Sequence, residues 1–446
     1  LTAIDAADVR REAGNSPVHV SLRSEARLIE RLQRGAYEYI TRYTNPANGL
    51  VADTSRAGSP CSIAVVGFAL CSHVIASERG WTSRRTAAAV VLRTLQFFWE
   101  SAQGDGTDTT GYKGFYYHFL DMESGRRVWD CELSLIDSAL LVAGFLCVRE
   151  YFDRDSRAEA SIRELADALY RRVDWCWAQN GSPSLTQGWH PGSGFLHYGW
   201  EGYNEALLIY VLGLGSSTSP LPRASFVHWT LTYQWERMLG QDVLYSGPLF
   251  THLFPHAWID LRGIRDAFMR EKRSDYFINT CRTIAVQQEY CERNPREAVG
   301  YCRDLWGISA GDGPVAHGSP EFAKDHRHFG YMARGVPFGP DDGTLCPWAM
   351  LATLPFAPEA ALIGTRTLLA RYPQVCPEDR FVSGFNPTEN ADRGGWLSEG
   401  WYGLDQGLLV MMIENARSGL VWSLMRKAPE VRLGLRRAGF TGGWLS

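Results

Sequence analysis

Residues 189–210 read WHPGSGFLHYGWEGYNEALLIY. The first half is a loop rich in glycine and aromatic residues. The second half passes through Glu201 and Glu205 into residues 206–213, a run with no charge at all. A helix built from such a run has no face that prefers water, so it belongs to an inner layer. A helix over 205–214 is predicted, with Glu201 and Glu205 one turn apart at its mouth, ringed by Trp189, His190, His197, Tyr198, Trp200 and Tyr203. Two readings of the acids stand side by side. Carboxylates suit helix N-termini for electrostatic reasons alone. Carboxyls ringed by aromatics are also what a saccharide cleft requires, because sugars offer C–H faces for stacking and acetals that break with carboxyl help.

The same alternation recurs outward along the chain. Helical periodicity predicts helices over 21–44, 61–75, 83–100, 132–152, 156–177, 225–239, 259–292, 359–371 and 404–415. The connectors 107–125, 188–202, 310–343 and 381–403 are long, rich in Gly and Pro, and hold most of the polar and aromatic side chains. Strand-like alternation is rare and short. Helices paired by short turns and then separated by long decorated loops imply an all-α toroid of ten to twelve helices, with the loops gathered on one rim as a cleft. A helical solenoid would need a fixed sequence period, and none is present. No low-complexity linker interrupts the 446 residues, so one domain is expected over 1–446, with 1–20 as an N-terminal extension.

Composition excludes several functions. A formal net charge of -4 leaves no footprint for nucleic acid or anionic lipid. No apolar stretch reaches the roughly 20 residues that span a bilayer, so no membrane insertion is expected. The chain has 16 Trp, 19 Tyr and 20 Phe, more aromatic surface than core packing usually needs, which favours a carbohydrate or another planar ligand. Ten cysteines are scattered without a CxxC pair, which argues against a zinc ribbon or redox motif and for free core thiols. The sequence begins Leu-Thr-Ala, and a removed signal peptide is the expectation. Nothing marks an oligomeric state.

Residues 114–141 carry a second cluster of chemistry. A strand–turn–strand is expected over 115–129, turning at Glu123-Ser124-Gly125, and a helix beginning near Asp130 as its N-cap. Asp130, Ser134 and Asp137 would then share one stripe, with Glu132 on the next. Beyond Ser138 the helix is apolar all round, and an acid as deep as Asp137 is costly unless paired or facing a cleft. Residues 305–314, LWGISAGDGP, place Trp306 before a glycine-rich turn presenting Asp312, and read as a binding loop. Asp341-Asp342-Gly343 reads as ordinary turn chemistry. His252 and His256 are four apart, but Pro255 should spoil the helix that would align them, and His326 and His328 fall in a charged loop. No metal or cofactor is expected, and no GxSxG, P-loop or dinucleotide motif competes.

Six strings together carry a resemblance: residues 114–144 (GFYYHFLDMESGRRVWDCELSLIDSALLVAG), HYGWEGYNEALLIYVLGLGSSTSPLP, LFTHLFPHAWIDLRG, LWGISAGDGP, DDGTLCPWAMLATLPFAPEAAL and GLDQGLLVMMIENARSGLVW. From about residue 25 to 425 the chain is similar to the glycoamylase-like domain family, which includes glycoside hydrolase family 144, the bacterial β-1,2-glucanases. The resemblance implies a single (α/α)6 barrel, no metal cofactor, cleavage of β-1,2-glucan with inversion, and export to the periplasm or beyond. It places a general acid at Glu205 in the YNEA string, further cleft acids at Glu132, Asp137 and Asp312, and Asp121 from FLDM. His118, Glu201, Trp200, Tyr203, Trp306 and Trp401 complete the expected substrate contacts. One departure stands out: Ser383 occupies a position where the family pattern leads us to expect an acid. The expected function is therefore endo-acting hydrolysis with Glu205 as acid, its pKa raised by burial and by Glu201, and Asp137, Glu132 or Asp312 as base. A transglycosylase using the same cleft, or a non-catalytic glucan-binding protein, are the alternatives.

Overall fold

The computed structural model describes residues 17–314 and 330–446; His326, His328, much of the 310–343 connector and most of the N-terminal extension lie outside them. In chain order the helices are α1 (Pro17–Arg42), α2 (Ile63–Glu78), α3 (Arg84–Glu100), α4 (Leu135–Tyr151) and α5 (Arg157–Arg172). There follow α6 (Leu207–Gly215), α7 (Arg223–Thr230), α8 (Leu249–Trp258), α9 (Ala267–Glu271) and α10 (Tyr276–Arg293). The last are α11 (Pro347–Ala352), α12 (Pro358–Arg371), α13 (Gly403–Arg417), α14 (Leu420–Lys427) and α15 (Pro429–Arg437).

Six of these, α2, α4, α6, α8, α11 and α13, are buried almost all round. Each is covered by an amphipathic or shorter partner: α2 by α3, α4 by α5, α6 by α15, α8 by α10, α11 by α12 and α13 by α1. This is an (α/α)6 barrel, and both ends of the described chain supply outer staves. Helix α14 packs against α4, α8 and α13 together and so lies across one mouth of the ring. There the Asn415 side chain donates to Ala257 O and the Trp422 indole to His256 O. The opposite mouth receives the N-terminal ends of the inner helices, whose unpaired N–H groups favour negative charge. Short strands line that rim. Antiparallel pairing joins Gly111–Tyr112, Phe115–Tyr117, Leu133–Ser134, Gly188–His190 and Gly194–Phe195 into one small sheet that carries the chain into α4.

Several predicted boundaries move for identifiable reasons. Helix α4 starts at Leu135 rather than near Asp130, because residues 133–134 pair in the sheet and Ser134 takes the cap, accepting from Asp137 N–H. Asp130 instead sits exposed in a left-handed turn, φ 50°. The helix predicted over 225–239 ends at Thr230, and the remainder enters a hairpin, Trp235–Met238 with Gln241–Leu244. The helix predicted over 259–292 is two helices, started afresh by the caps Asp266 and Asp275. Pro255 does not spoil α8; it sits inside that helix, where burial of its neighbours outweighs one lost hydrogen bond. The ten cysteines are all free, as expected. Among the described residues no helix is long and apolar enough to cross a membrane.

The inner ring depends on close backbone approach between α2 and α4. A Cβ added at Gly67 would lie 2.3 Å from Leu140 O, and one at Gly144 only 2.7 Å from Gly67 O. Gly67→Ala is therefore expected to cost about 3 kcal/mol, the upper range for overpacking, read as a lowered denaturation midpoint. Gly104→Ala, with nothing nearer than 3.5 Å, is the control that should leave the midpoint within about 1 kcal/mol. Equal midpoints for the two variants would contradict the packing argument.

Candidate active site

At the open rim, side chains from five separate stretches of sequence converge. Asp137 stands in the first turn of α4, where its Oδ2 accepts from the Ser134 hydroxyl at 2.5 Å. His118, at the bend between the strands Phe115–Tyr117 and Phe119–Leu120, has Nδ1 2.8 Å from Glu132 Oε1 and Nε2 3.6 Å from Asp137 Oδ2. Glu205 lies two residues before α6, with Oε2 buried and no partner among the described residues. Burial, with the nearby Asp137 charge adding to it, pushes its carboxyl up to about 7. Glu205 thus titrates near neutral pH beside an acid that sits at a helix N-terminus.

A second group faces the first. Asp312 is buried, held by the Arg56 guanidinium and by the Tyr402 hydroxyl at 2.7 Å. Arg56 also reaches Tyr402 Oη at 3.0 Å. Burial raises the Asp312 carboxyl, and Arg56 opposes that rise. Asp405, in the first turn of α13, is buried with Oδ2 unpartnered, and burial holds it well above its ordinary range despite a hydrogen bond from Ser383. Asp53 belongs to the extended segment pinned between Pro60 O and Gly403 N–H. Its carboxyl, pushed up to about 7 chiefly by burial, feels both groups at once: His118 and Asp137 on one side, Arg56 and Asp312 on the other. Near neutral pH the rim therefore mixes half-titrated carboxyls at Glu205 and Asp53, and a protonated Asp405, with a charged pair at Glu132 and His118.

Glu132, Asp137, Asp312, Glu205 and His118 are the sequence-expected residues that the fold brings together. Others go elsewhere. Asp121 is committed to its own turn, accepting from Ser124 N–H and Oγ at 2.8 Å, which holds its carboxyl low. Glu201 is exposed and precedes the helix, so it forms no helical pair with Glu205; the neighbouring acid is Asp137. Trp306 is fully buried in the core, and Trp200 and Tyr203 are nearly so, Tyr203 packed against Tyr233, His252 and Tyr276. Trp401 has the Arg380 guanidinium over its ring and its indole N–H on Arg380 O. Trp306, Trp200 and Tyr203 present no open face for a sugar, whereas Trp401 is half-buried with one face covered by Arg380. The histidines at 252 and 256 are buried core residues, pushed down by burial to about 4 and about 3.

Asp53, Arg56 and Asp405 lie outside the residues singled out from the sequence, whereas Tyr402 belongs to the aromatic-rich loop 381–403. Asp405 had a signal, because it repeats the Asp137 pattern of one acid in the first turn of an inner helix that carries no other charge until its last turn. Asp53 and Arg56 sit in a short polar loop, and only the tertiary fold reveals their place. Ser383 stands beside Asp405, so the rim keeps a carboxyl at that point although residue 383 has none.

The sequence profile of the Glycoamylase family, described as "Putative glucoamylase", matches residues 197–429, just over half of the chain. This chain belongs to the glycoamylase family. Over 449 aligned positions it is 25% identical to an exo β-1,2-glucooligosaccharide sophorohydrolase (non-reducing end) of Parabacteroides distasonis, covering 93% of this chain and 58% of that protein. The chain thus spans less than two thirds of that relative. Among solved structures, a "putative glucoamylase" from Bacteroides uniformis is 27% identical, with TM-score 0.83 over 95% of this chain and 99% of that one. The endo-β-1,2-glucanase of Chitinophaga pinensis, in complex with sophorotriose and glucose, is 24% identical with TM-score 0.83, covering 94% and 99%. That likeness bears on the shared fold.

Proposed function

We propose that this glycoamylase-family chain is a single-domain glycoside hydrolase that cleaves β-1,2-linked glucan within the chain, with inversion at the anomeric carbon. The observation that carries the reading is Glu205: a buried carboxyl, protonated up to about pH 7, in a rim of acids at the helix N-termini. The names of its relatives, a β-1,2-glucooligosaccharide hydrolase and a β-1,2-glucanase, supply the linkage.

Glu205 gives its proton to the glycosidic oxygen as the C1–O bond breaks. Asp137 takes a proton from water as that water attacks C1 from the opposite face, directly or through one further water. Inversion requires the acid and base about 6.5–9.5 Å apart, whereas double displacement requires about 5–5.5 Å. Asp312 is left to position substrate, because Arg56 and Tyr402 between them hold both of its oxygens. A polymeric substrate accords with a periplasmic or secreted location.

Incubation with linear and cyclic β-1,2-glucans tests the reading, with products sized by chromatography and the first-formed anomer read by proton NMR. A ladder of oligosaccharides, cut from both substrates and released as the α-anomer, is expected. Release of disaccharide alone from linear chains would replace endo with exo action, the mode named for the Parabacteroides distasonis relative. Chain lengthening or cyclisation without new reducing ends would make the chain a transglycosylase. Binding without any cleavage would make it a lectin-like protein.

A further inference from the structure

His118 has a carboxylate at each ring nitrogen: Glu132 at 2.8 Å from Nδ1 and Asp137 at 3.6 Å from Nε2. One donor atom from each of the three residues lies within 4.8 Å of the other two. A neutral imidazole carries a single N–H, so one of its nitrogens would turn a lone pair towards a carboxylate. Two carboxylates this close do not both ionise unless a cation or a shared proton lies between them. Asp137 also accepts from the Ser134 hydroxyl.

The ring is fixed in place. Phe119 stacks on it at 3.9 Å with an interplanar angle of 13°. The His118 N–H donates to Glu132 O at 3.0 Å, and Ile63 N–H donates to His118 O at 3.2 Å. The titratable groups that face it are Glu132 ahead of α4, Asp137 within α4, and Asp53 from the pinned segment beside α2 and α13. From β-paired Phe119 and from the start of α2 come only apolar or backbone groups. Burial works against charge on the ring, yet the three carboxylates outweigh it and raise His118 to about 9.

We propose that His118 is a positioning residue, a built-in cation that holds Glu132 and Asp137 ionised side by side so that Asp137 stays ready to receive a proton. The charge state follows from the geometry alone, and its use in turnover rests on the function proposed above. The Nδ1 proton is committed to Glu132 and the Nε2 side faces Asp137, so His118 is not assigned as the acid that protonates the leaving group. A cation fixed by the fold does the work that a shared proton would otherwise do, and leaves the base deprotonated at lower pH.

The test has two arms. In the wild-type chain, nitrogen-15 NMR of the imidazole should find both nitrogens protonated at pH 7, with loss of a proton only near pH 9. In His118→Asn, removing the cation raises the carboxylates it faced, so the acid limb of kcat/KM on linear β-1,2-glucan should move up by about one pH unit. That is roughly a tenfold loss on the acid side, and His118→Lys should move the limb back. A single protonated nitrogen at pH 7, or an unshifted acid limb in a folded His118→Asn, overturns the proposal. So does activity lost to EDTA and restored by added Mn²⁺ or Ca²⁺, because His118 would then be a ligand. A wild-type chain that cuts no β-1,2-glucan defeats the proposed function yet leaves the nitrogen titration readable. A neutral ring in an active enzyme defeats this inference alone.

Discussion

Glu205→Gln is expected to lower kcat on β-1,2-glucan by about 10³-fold, within the range for loss of a general acid, while KM changes little. Glutamine keeps the shape of the side chain and removes only the transferable proton. The loss should therefore depend on the leaving group. From a 4-nitrophenyl β-sophoroside the 4-nitrophenolate departs without protonation, and on that substrate the variant should fall less than about tenfold. The pH profile offers a further check. Because burial raises Glu205 to about 7, wild-type kcat/KM should decline as pH rises through that value. The decline should disappear in the variant. Equal losses on the glucan and on the aryl substrate would remove Glu205 from the role of acid.

The second large effect is expected at Asp137. Asp137→Asn should lower kcat by about 10³-fold, since the water loses its proton acceptor. Azide needs no deprotonation, so in this variant it should restore turnover: its nitrogen bonds to C1, the C1–O bond breaks, and the Glu205 proton goes to the departing oxygen. The product should be an α-glycosyl azide. A β-azide would indicate double displacement, and no azide adduct would pass the base role to another rim acid. The two sites are also linked. The Asp137 charge helps to raise Glu205, so in Asp137→Asn the alkaline limb should shift to lower pH.

The barrel was legible because its inner helices carry no charge along most of their length, a pattern that survives without coordinates. Residues 206–213 and the run after Ser138 both read as inner layer and both are. The boundaries that shifted were those where side-chain caps and short strands decide the matter, as at Ser134 and Asp266, and those are local competitions that periodicity does not register. Aromatic content misled in one respect. Trp175, Trp229, Trp258, Trp306 and Trp348 are fully buried, or nearly so. A ring of paired helices leaves wide gaps between its staves, and large side chains fill them. The acids at Glu132, Asp137 and Glu205 could be found because each lies beside an inner helix start. Asp53 and Arg56 could not, because a short loop near the N-terminus reaches the rim only after the ring has closed.

That closure has a consequence for how the chain comes to exist. Helix α1 packs on α13, and the Gln33 amide reaches Glu414, 381 residues further along. During synthesis α1, which meets α2 early, thus waits for α13, its main partner, until the other inner helices have been made, and α15, which covers α6, arrives later still. Long-range pairings of this kind slow folding and leave sticky surfaces waiting. Removing α1 or α15 would pull a plank from the cask.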